Sequence, residues 1–225
     1  MSAVTLYIGN KNYSSWSLRP WLALKWAGIA FEEHIIPLAG PGYGKAKIDE
    51  VLAVSPSGRV PALSVDGVTV YDSLAICEWA HERAPQAGLW PSDPLVRAQA
   101  RSAAAEMHSG FAALRRDLSM NIRRRMEKAP DFPDDTRADL DRLFAAWGDL
   151  RRRFAGEGPW LFGARSNVDA MYAPVATRLR TYAVKAPAEV EAYCNTVFAD
   201  AAFQDWERAG IAETWTIQKS EDLYR

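Results

Sequence analysis

The sequence predicts two parts: a small domain that mixes α-helices with β-strands, followed by a region made of helices alone. Short apolar runs alternate with helical patterns over the first part, prolines and glycines cluster after it, and strand patterns are absent beyond that cluster. We therefore expect an α/β domain over residues 1–84, a linker over residues 85–94 and an all-helical domain over residues 95–225.

The first part contains the elements of one mixed sheet. Asp66-Gly67 lies between two short apolar runs and is typical of a two-residue hairpin turn. Strands are predicted at residues 5–8, 31–36, 62–65 and 69–71, and helices at residues 17–28, 48–54 and 73–83. The resulting order, β-α-β-α-β-β-α, fits a single sheet with helices on both faces, which is a thioredoxin-like arrangement.

Beyond the linker, apolar residues recur only at helical spacing. One long helix is expected over residues 95–125, and others over residues 134–154, 166–182, 188–195 and 203–209. Met107, Phe111 and Leu114 follow an i, i+4, i+7 spacing on the long helix and are candidates for an apolar substrate pocket. Packing into the core is an equally good interpretation of the same spacing.

Composition excludes several classes of protein. The chain has 225 residues, 48% of them hydrophobic, and a net charge of −1, which argues against disorder and against a nucleic-acid partner. Two cysteines are too few for a disulfide scaffold, and the histidines show no metal spacing. Neither a signal segment nor a membrane span is evident. We expect a soluble, cytoplasmic protein that needs no metal and has no membrane partner.

Serines lie directly before the first predicted helix, in the run Ser14-Ser15-Trp16-Ser17. Unpaired N–H groups and a partial positive charge at a helix N-terminus stabilise an anion, so the pKa of a thiol placed there falls below its free value of about 8.5. A serine hydroxyl can add a hydrogen bond to the sulfur. The same serines also suit helix capping, and the residues alone leave both roles open.

Two other short motifs suit the binding of a peptide-like molecule. Pro61 opens a predicted strand; if its bond to Val60 is cis, the N–H and C=O of Val60 would face outward and pair with an extended peptide. A trans bond is the commoner case. Asp72-Ser73 begins the next helix, where N–H groups and a hydroxyl can bind a carboxylate and Asp72 can accept from an ammonium.

These motifs together resemble the glutathione transferase superfamily. Residues 55–63 are similar to its cis-proline loop, residues 71–76 to its γ-glutamyl grip, and residues 161–169 to its capping box with a buried aspartate. The resemblance spans about residues 4–180. The run Ser14-Ser15-Trp16-Ser17 is most similar to the motif of the zeta class. Trp16 stands in place of that motif's cysteine, and Arg19 stands where the motif has an arginine.

The resemblance implies an enzyme that uses glutathione as co-substrate and joins its thiolate to a small electrophile, in a homodimer with a detoxification role. Ser14 or Ser15 would activate the thiol. The residues expected to contact glutathione are Trp16, Ser17, Lys45, Val60, Pro61, Asp72 and Ser73.

Two alternatives to conjugation remain. The zeta class isomerises maleylacetoacetate, with an arginine late in the helical domain at the electrophile site; Arg178 and Arg180 lie near that place without falling in register. Arg115 or Arg116 could attract an anionic substrate. The other alternative is a catalytically silent binding module of the same fold.

Overall fold

A computed structural model describes residues 3–38 and 48–225. Four strands form one sheet: β1 (Val4–Ile8), β2 (Glu32–Ile35), β3 (Ala62–Val65) and β4 (Val68–Tyr71). The strand order is β2-β1-β3-β4, with β2 parallel to β1 and the other two pairs antiparallel. Asp66 and Gly67 both have positive φ, at 48° and 84°, as the predicted hairpin turn between β3 and β4 requires.

Three helices accompany the sheet: α1 (Ser15–Trp26), α2 (Asp49–Val54) and α3 (Ser73–Arg83). The element order is the one that the sequence predicts, and the thioredoxin-like mixed sheet is confirmed. Each of the two longer helices begins at a side-chain cap, since Ser14 accepts from the N–H of Ser17 and Asp72 accepts from the N–H of Leu74. Both caps lie at the same end of the domain as the site described below.

The remainder of the described chain is mainly helical, as predicted. Its helices are α4 (Pro94–Ser109), α5 (Ala112–Asp117), α6 (Asp134–Phe154), α7 (Asn167–Thr181), α8 (Ala188–Ala199), α9 (Ala201–Ala212) and α10 (Gln218–Glu221). Helix α7 begins at a capping box in which Ser166 and Asp169 bond reciprocally, as the resemblance implies.

The prediction of one helix over residues 95–125 is wrong. Helix α4 ends at Ser109, because Gly110 takes an extended conformation and Phe111 a left-handed one, with φ of 54°. A Cβ at position 110 would lie 2.7 Å from the carbonyl oxygen of Glu106, so a larger residue would not fit this bend. After α5 the chain is irregular up to residue 133, and the arginine run at residues 123–125 lies in that segment rather than on a helix.

The two parts share one apolar core. Helix α1 packs against both α3 and α7, so the first helix of the sheet domain contacts the helical region directly. Trp147 is fully buried and packs edge-to-face on Tyr172 and Tyr193. Because the core is continuous, the division at residues 84 and 94 stays a prediction.

Several expectations concern the described residues as a whole. Cys77 and Cys194 are both buried, unpaired and helical, as predicted. Over residues 3–38 and 48–225, no helix has the length and apolar character needed to cross a membrane, and no group of metal-ligating side chains occurs. Lys45, predicted to contact glutathione, lies outside the described residues.

Candidate functional site

A cavity of about 770 Å³ lies at the N-terminus of α1, between the sheet domain and the helical region. We call it the main cavity. Its wall on the sheet side includes Ser14, Ser15 and Val60, and its wall on the helical side includes Arg115 and Arg178. The cavity therefore joins residues that are far apart in the sequence around one helix N-terminus.

The serines at the start of α1 have different partners. The Ser14 hydroxyl donates to Ser17 Oγ over 2.7 Å, and its oxygen is also the helix cap. Ser17 is fully buried, accepts from the N–H of Gly9, and does not line the main cavity. In the described part of the chain the Ser15 hydroxyl has no hydrogen-bond partner, although the residue lines the cavity. Ser15 is therefore the serine whose hydroxyl is free to donate to a bound group.

The bond between Val60 and Pro61 is cis. Val60 lines the main cavity, and within residues 3–38 and 48–225 no group is hydrogen-bonded to its backbone. Both residues also border a neighbouring space of about 470 Å³, which we call the side cavity. The backbone N–H and C=O of Val60 are thus available to a molecule that extends from one cavity into the other.

The side cavity ends at the N-terminus of α3. Ser73 lines it and is 1% exposed, and its hydroxyl oxygen has no partner in the described chain. An unpaired buried hydroxyl is costly, so its place beside the free N–H groups of a helix start indicates a site for an anion. Asp72 adopts a positive φ of 82° at this cap and brings a carboxylate to the same cavity.

Trp16 lies between the two cavities and lines both. Its ring is covered by the guanidinium groups of Arg19, at 4.2 Å, and Arg115, at 5.5 Å, and by the edge of His108. His108 Nε2 lies 3.3 Å from the Asp72 carboxylate, which links the helical region to the α3 cap. His108 could not be assigned a role from the sequence, because its contacts with Trp16 and Asp72 join α4 to residues distant along the chain.

Three arginines give this end of the molecule a positive field. Burial lowers the pKa of Arg19 to about 9 and that of Arg178 to about 10, and it also lowers the pKa of Arg115. Repulsion from Arg115 adds to the pKa shifts of Arg19 and Arg178. None of them pairs with a carboxylate of the described chain, and Arg178 Nε is buried without a partner. Arg115 and Arg178 line the main cavity, whereas Arg19 lines neither cavity. Each of the two also donates to a backbone carbonyl oxygen, and the donors that remain are suited to bind a carboxylate.

Of the four arginines that the sequence suggested for the second substrate, two line the main cavity and two do not. Arg178 lines the main cavity and donates to the carbonyl oxygen of Leu118, whereas Arg180 pairs with Glu207 away from it. Arg115 lines the cavity, whereas Arg116 pairs with Asp117 and Asp135.

The predicted apolar pocket does not lie at the site. Met107, Phe111 and Leu114 are at most 6% exposed, belong to the core, and line neither cavity. The alternative interpretation of their spacing, packing into the core, is therefore the one that the structure supports. The apolar part of the helical-side wall comes instead from Met120 and from Ile217, near the end of the sequence.

Comparison with known proteins accounts for this arrangement. Residues 13–83 match the family model for the N-terminal domain of glutathione S-transferases. The maleylacetoacetate isomerase of Pseudomonas aeruginosa is 38% identical over 168 residues, which cover 74% of this chain and 76% of that protein. The chain belongs to the glutathione transferase superfamily, in its zeta-like branch. The mouse protein of the same name is 38% identical over 109 residues, about half of each chain.

Solved structures of glutathione transferases have the same fold. A Burkholderia homologue with bound glutathione has a TM-score of 0.72 at 25% identity, covering 92% of this chain and 98% of its own. A Sulfitobacter homologue, also with bound glutathione, has a TM-score of 0.68 at 24% identity. The chain therefore shares the fold of the superfamily over most of its length.

Proposed function

We propose that this glutathione transferase is a glutathione-dependent cis–trans isomerase whose substrate is a small dicarboxylate of the maleylacetoacetate type. The observation that carries the proposal is that two arginines on the wall of the main cavity, Arg115 and Arg178, have no carboxylate partner in the described chain. The relatives named maleylacetoacetate isomerase support the same assignment. This proposal replaces general conjugation as the main expectation from the sequence.

The residues of the sheet side fit glutathione. The backbone of Val60 can pair with the cysteinyl part of the tripeptide, as in the addition of one strand. The γ-glutamyl carboxylate fits the Ser73 hydroxyl and the N-terminus of α3, and its ammonium fits the Asp72 carboxylate. The orphaned Ser73 oxygen is the feature of this chain that such a carboxylate would satisfy.

Ser15 is the proposed hydrogen-bond donor to the sulfur. The N-terminus of α1 stabilises negative charge, which lowers the pKa of a thiol bound there. Ser15 faces the main cavity with a free hydroxyl, whereas the Ser14 hydroxyl is occupied by Ser17. We therefore assign activation of the thiol to Ser15 and the stabilisation of the helix start to Ser14.

Isomerisation needs a nucleophile that adds reversibly to the substrate, and it needs the substrate's carboxylates to be held in place. Bound glutathione supplies a thiolate that adds reversibly to a double bond conjugated with a carbonyl group, which allows rotation before the thiol leaves. Arg178 and Arg115 hold the carboxylates and stabilise the negative charge that develops on the conjugated oxygen. Holding both molecules in one cavity supplies part of the rate. No glutathione is consumed, and the product is an isomer of the substrate.

Conjugation consumes the thiol of glutathione, whereas isomerisation leaves it free, so a thiol titration distinguishes the two reactions. The purified protein is incubated with glutathione and maleylacetoacetate, and free thiol is titrated while the substrate is followed by ultraviolet absorbance. We expect substrate loss with no loss of thiol. Stoichiometric loss of thiol would instead support conjugation, and tight glutathione binding with neither change would support a silent binding module.

A further inference from the structure

Trp16 lies in the first turn of α1 and lines both cavities. The guanidinium carbon of Arg19 lies 4.2 Å from the centre of the Trp16 ring, and that of Arg115 lies 5.5 Å from it. The imidazole of His108 packs edge-on against the same ring, with 5.3 Å between the ring centres. One indole ring therefore contacts side chains of α1, α4 and α5.

Two of these contacts fix the position of the ring. Arg19 follows Trp16 by three residues on the same helix, so the two side chains are neighbours on its surface, and Arg19 is 1% exposed. His108 is held in turn, because its Nε2 lies 3.3 Å from the Asp72 carboxylate at the start of α3. The indole ring thus packs on groups that have fixed places in the fold, and this limits its own movement.

Arg115, the third contact, is held by the backbone at one end of its guanidinium. Its Nη1 donates to the carbonyl oxygens of Met107 and His108 at the end of α4, over 3.1 Å each. No carboxylate of the described chain pairs with it, and residues 1–2 and 39–47 contain neither Asp nor Glu. Because both bonds meet at one nitrogen, the rest of the guanidinium can still turn about that atom. An aromatic ring within about 6 Å restricts this movement, since its face attracts a cation.

We propose that Trp16 is a positioning residue for the second substrate: its indole ring holds the Arg115 guanidinium on the wall of the main cavity, where that group binds a carboxylate. This inference rests on the proposed function, in which Arg115 binds the dicarboxylate. It extends that proposal by a residue of the sheet domain that acts on the second substrate through an arginine of the helical region.

A role through Arg115 differs from the direct contact with glutathione that the sequence predicts for Trp16. A direct contact would change the affinity for glutathione, and its effect would be the same whether or not the guanidinium of Arg115 is present. A positioning role changes the use of the dicarboxylate, and its effect disappears when that guanidinium is removed. A double-mutant cycle measures this dependence.

The cycle combines Trp16→Leu, which removes the aromatic face, with Arg115→Met, which removes the guanidinium. Trp16→Phe is the conservative variant, because it keeps a smaller aromatic face. Arg101→Met is the matched control for Arg115→Met: Arg101 also lies over an indole ring, 5.6 Å from the centre of Trp90, but it lines neither cavity. The values of kcat and KM for maleylacetoacetate are measured at saturating glutathione, and the dissociation constant of glutathione is measured by calorimetry for each variant.

We expect Trp16→Leu to lower kcat/KM about tenfold in the wild-type background and at most about twofold in the Arg115→Met background, which is a coupling of about fivefold. Most of the loss should lie in KM, because Arg115 holds the carboxylate before the thiol adds as well as after. Trp16→Phe should lose only about threefold. In the Arg101→Met background the loss from Trp16→Leu should stay about tenfold.

Equal losses from Trp16→Leu with and without the Arg115 guanidinium, or no loss at all, would overturn this inference alone. If Trp16→Leu does not fold, the same cycle with Trp16→Phe decides, and additive losses there would have the same meaning. A wild type that does not consume maleylacetoacetate, or an Arg115→Met variant with the KM of the wild type, would overturn the proposed function or its use of Arg115, and this inference with it.

Discussion

The two walls of the main cavity are made in different ways. The N-terminal wall, with Ser15, Val60 and the adjoining Ser73, presents hydroxyls and backbone groups at two helix starts and one loop. The C-terminal wall presents two guanidinium groups, Arg115 and Arg178, together with Ile217, which lies between α9 and α10. The first wall suits one peptide-like molecule, and the second suits a small anion.

The difference shows where the specificity of this fold can vary. Groups on the N-terminal wall are fixed by local backbone geometry, because a helix start always leaves N–H groups unpaired. Groups on the C-terminal wall are side chains of α5, of α7 and of the segment between α9 and α10, so each can change without replacing the others. We expect damage to the second wall to affect the small substrate and damage to the first to affect glutathione.

The largest effect is expected at Arg178. Arg178→Lys keeps the charge but removes the planar fork, so kcat/KM for the dicarboxylate should fall about 10- to 100-fold. The dissociation constant of glutathione should stay within about twofold, since the N-terminal wall is untouched. Arg180→Lys is the control, because Arg180 pairs with Glu207 outside the cavity. Equal losses of kcat/KM in both variants, or a matching loss of glutathione affinity, would contradict the separate roles of the two walls.

A smaller effect is expected from the serines. Ser15→Ala removes the free hydroxyl, so the pKa of the bound thiol should rise and turnover near neutral pH should fall about tenfold. Thiolate formation is read from the ultraviolet absorbance of the glutathione complex as a function of pH. Ser14→Ala should instead destabilise the fold by about 1 kcal/mol through loss of the cap, with little change in that titration. The reverse pattern would assign the thiol to Ser14.

Ser73 sharpens the same comparison from the other side. Ser73→Ala removes a buried hydroxyl that has no partner in the described chain, so the protein itself should lose little stability. Its affinity for glutathione should fall about fivefold, while the KM of the dicarboxylate stays unchanged. Ser102→Ala, on an exposed face of α4, is the control. Unchanged glutathione affinity in Ser73→Ala would contradict the proposed contact between Ser73 and the γ-glutamyl carboxylate.

The last prediction concerns folding stability rather than turnover, at the start of α7, the helix that carries Arg178. Burial raises the pKa of Asp169 to about 6, although N–H groups of Leu161 and Ser166 favour its ionised form. A carboxyl whose pKa is higher in the folded than in the unfolded state stabilises the fold at low pH. Stability should fall by up to roughly 3 kcal/mol as pH rises from about 4 to about 6.

Denaturant unfolding at a series of pH values measures this effect. The Asp169→Asn variant lacks the titration, so its stability should change less than that of the wild type over the same interval. Parallel pH profiles for the two proteins would show that Asp169 does not titrate in this range.

The N-terminal wall could be predicted from the sequence because its chemistry is local. Ser14 and Asp72 cap helices within their own neighbourhood, and the proline at position 61 precedes its strand directly. The element order followed from apolar spacing for the same reason. Such signals need only a few neighbouring residues.

The C-terminal wall could not be predicted in this way. The sequence placed Arg178 on a helix correctly, but which face of α7 meets the cavity depends on how α7 packs on α1. The stripe of Met107, Phe111 and Leu114 looked like a pocket because apolar spacing does not distinguish a core from a cavity wall. Ile217 reaches the site through contacts with residues about 200 positions earlier, such as those of Glu213 with Lys11 and Asn12.

The central claim is that Arg115 and Arg178 on the C-terminal wall bind the substrate's carboxylates, including the one at its acetoacetate end. One comparison of substrates tests this claim directly. At saturating glutathione, kcat/KM of the wild type is measured for maleylacetoacetate and for its analogue in which the carboxylate of the acetoacetate end is replaced by hydrogen. We expect the dicarboxylate to be preferred by tenfold or more, and this preference to disappear in Arg178→Lys. Equal values for the two substrates in the wild type would contradict the account.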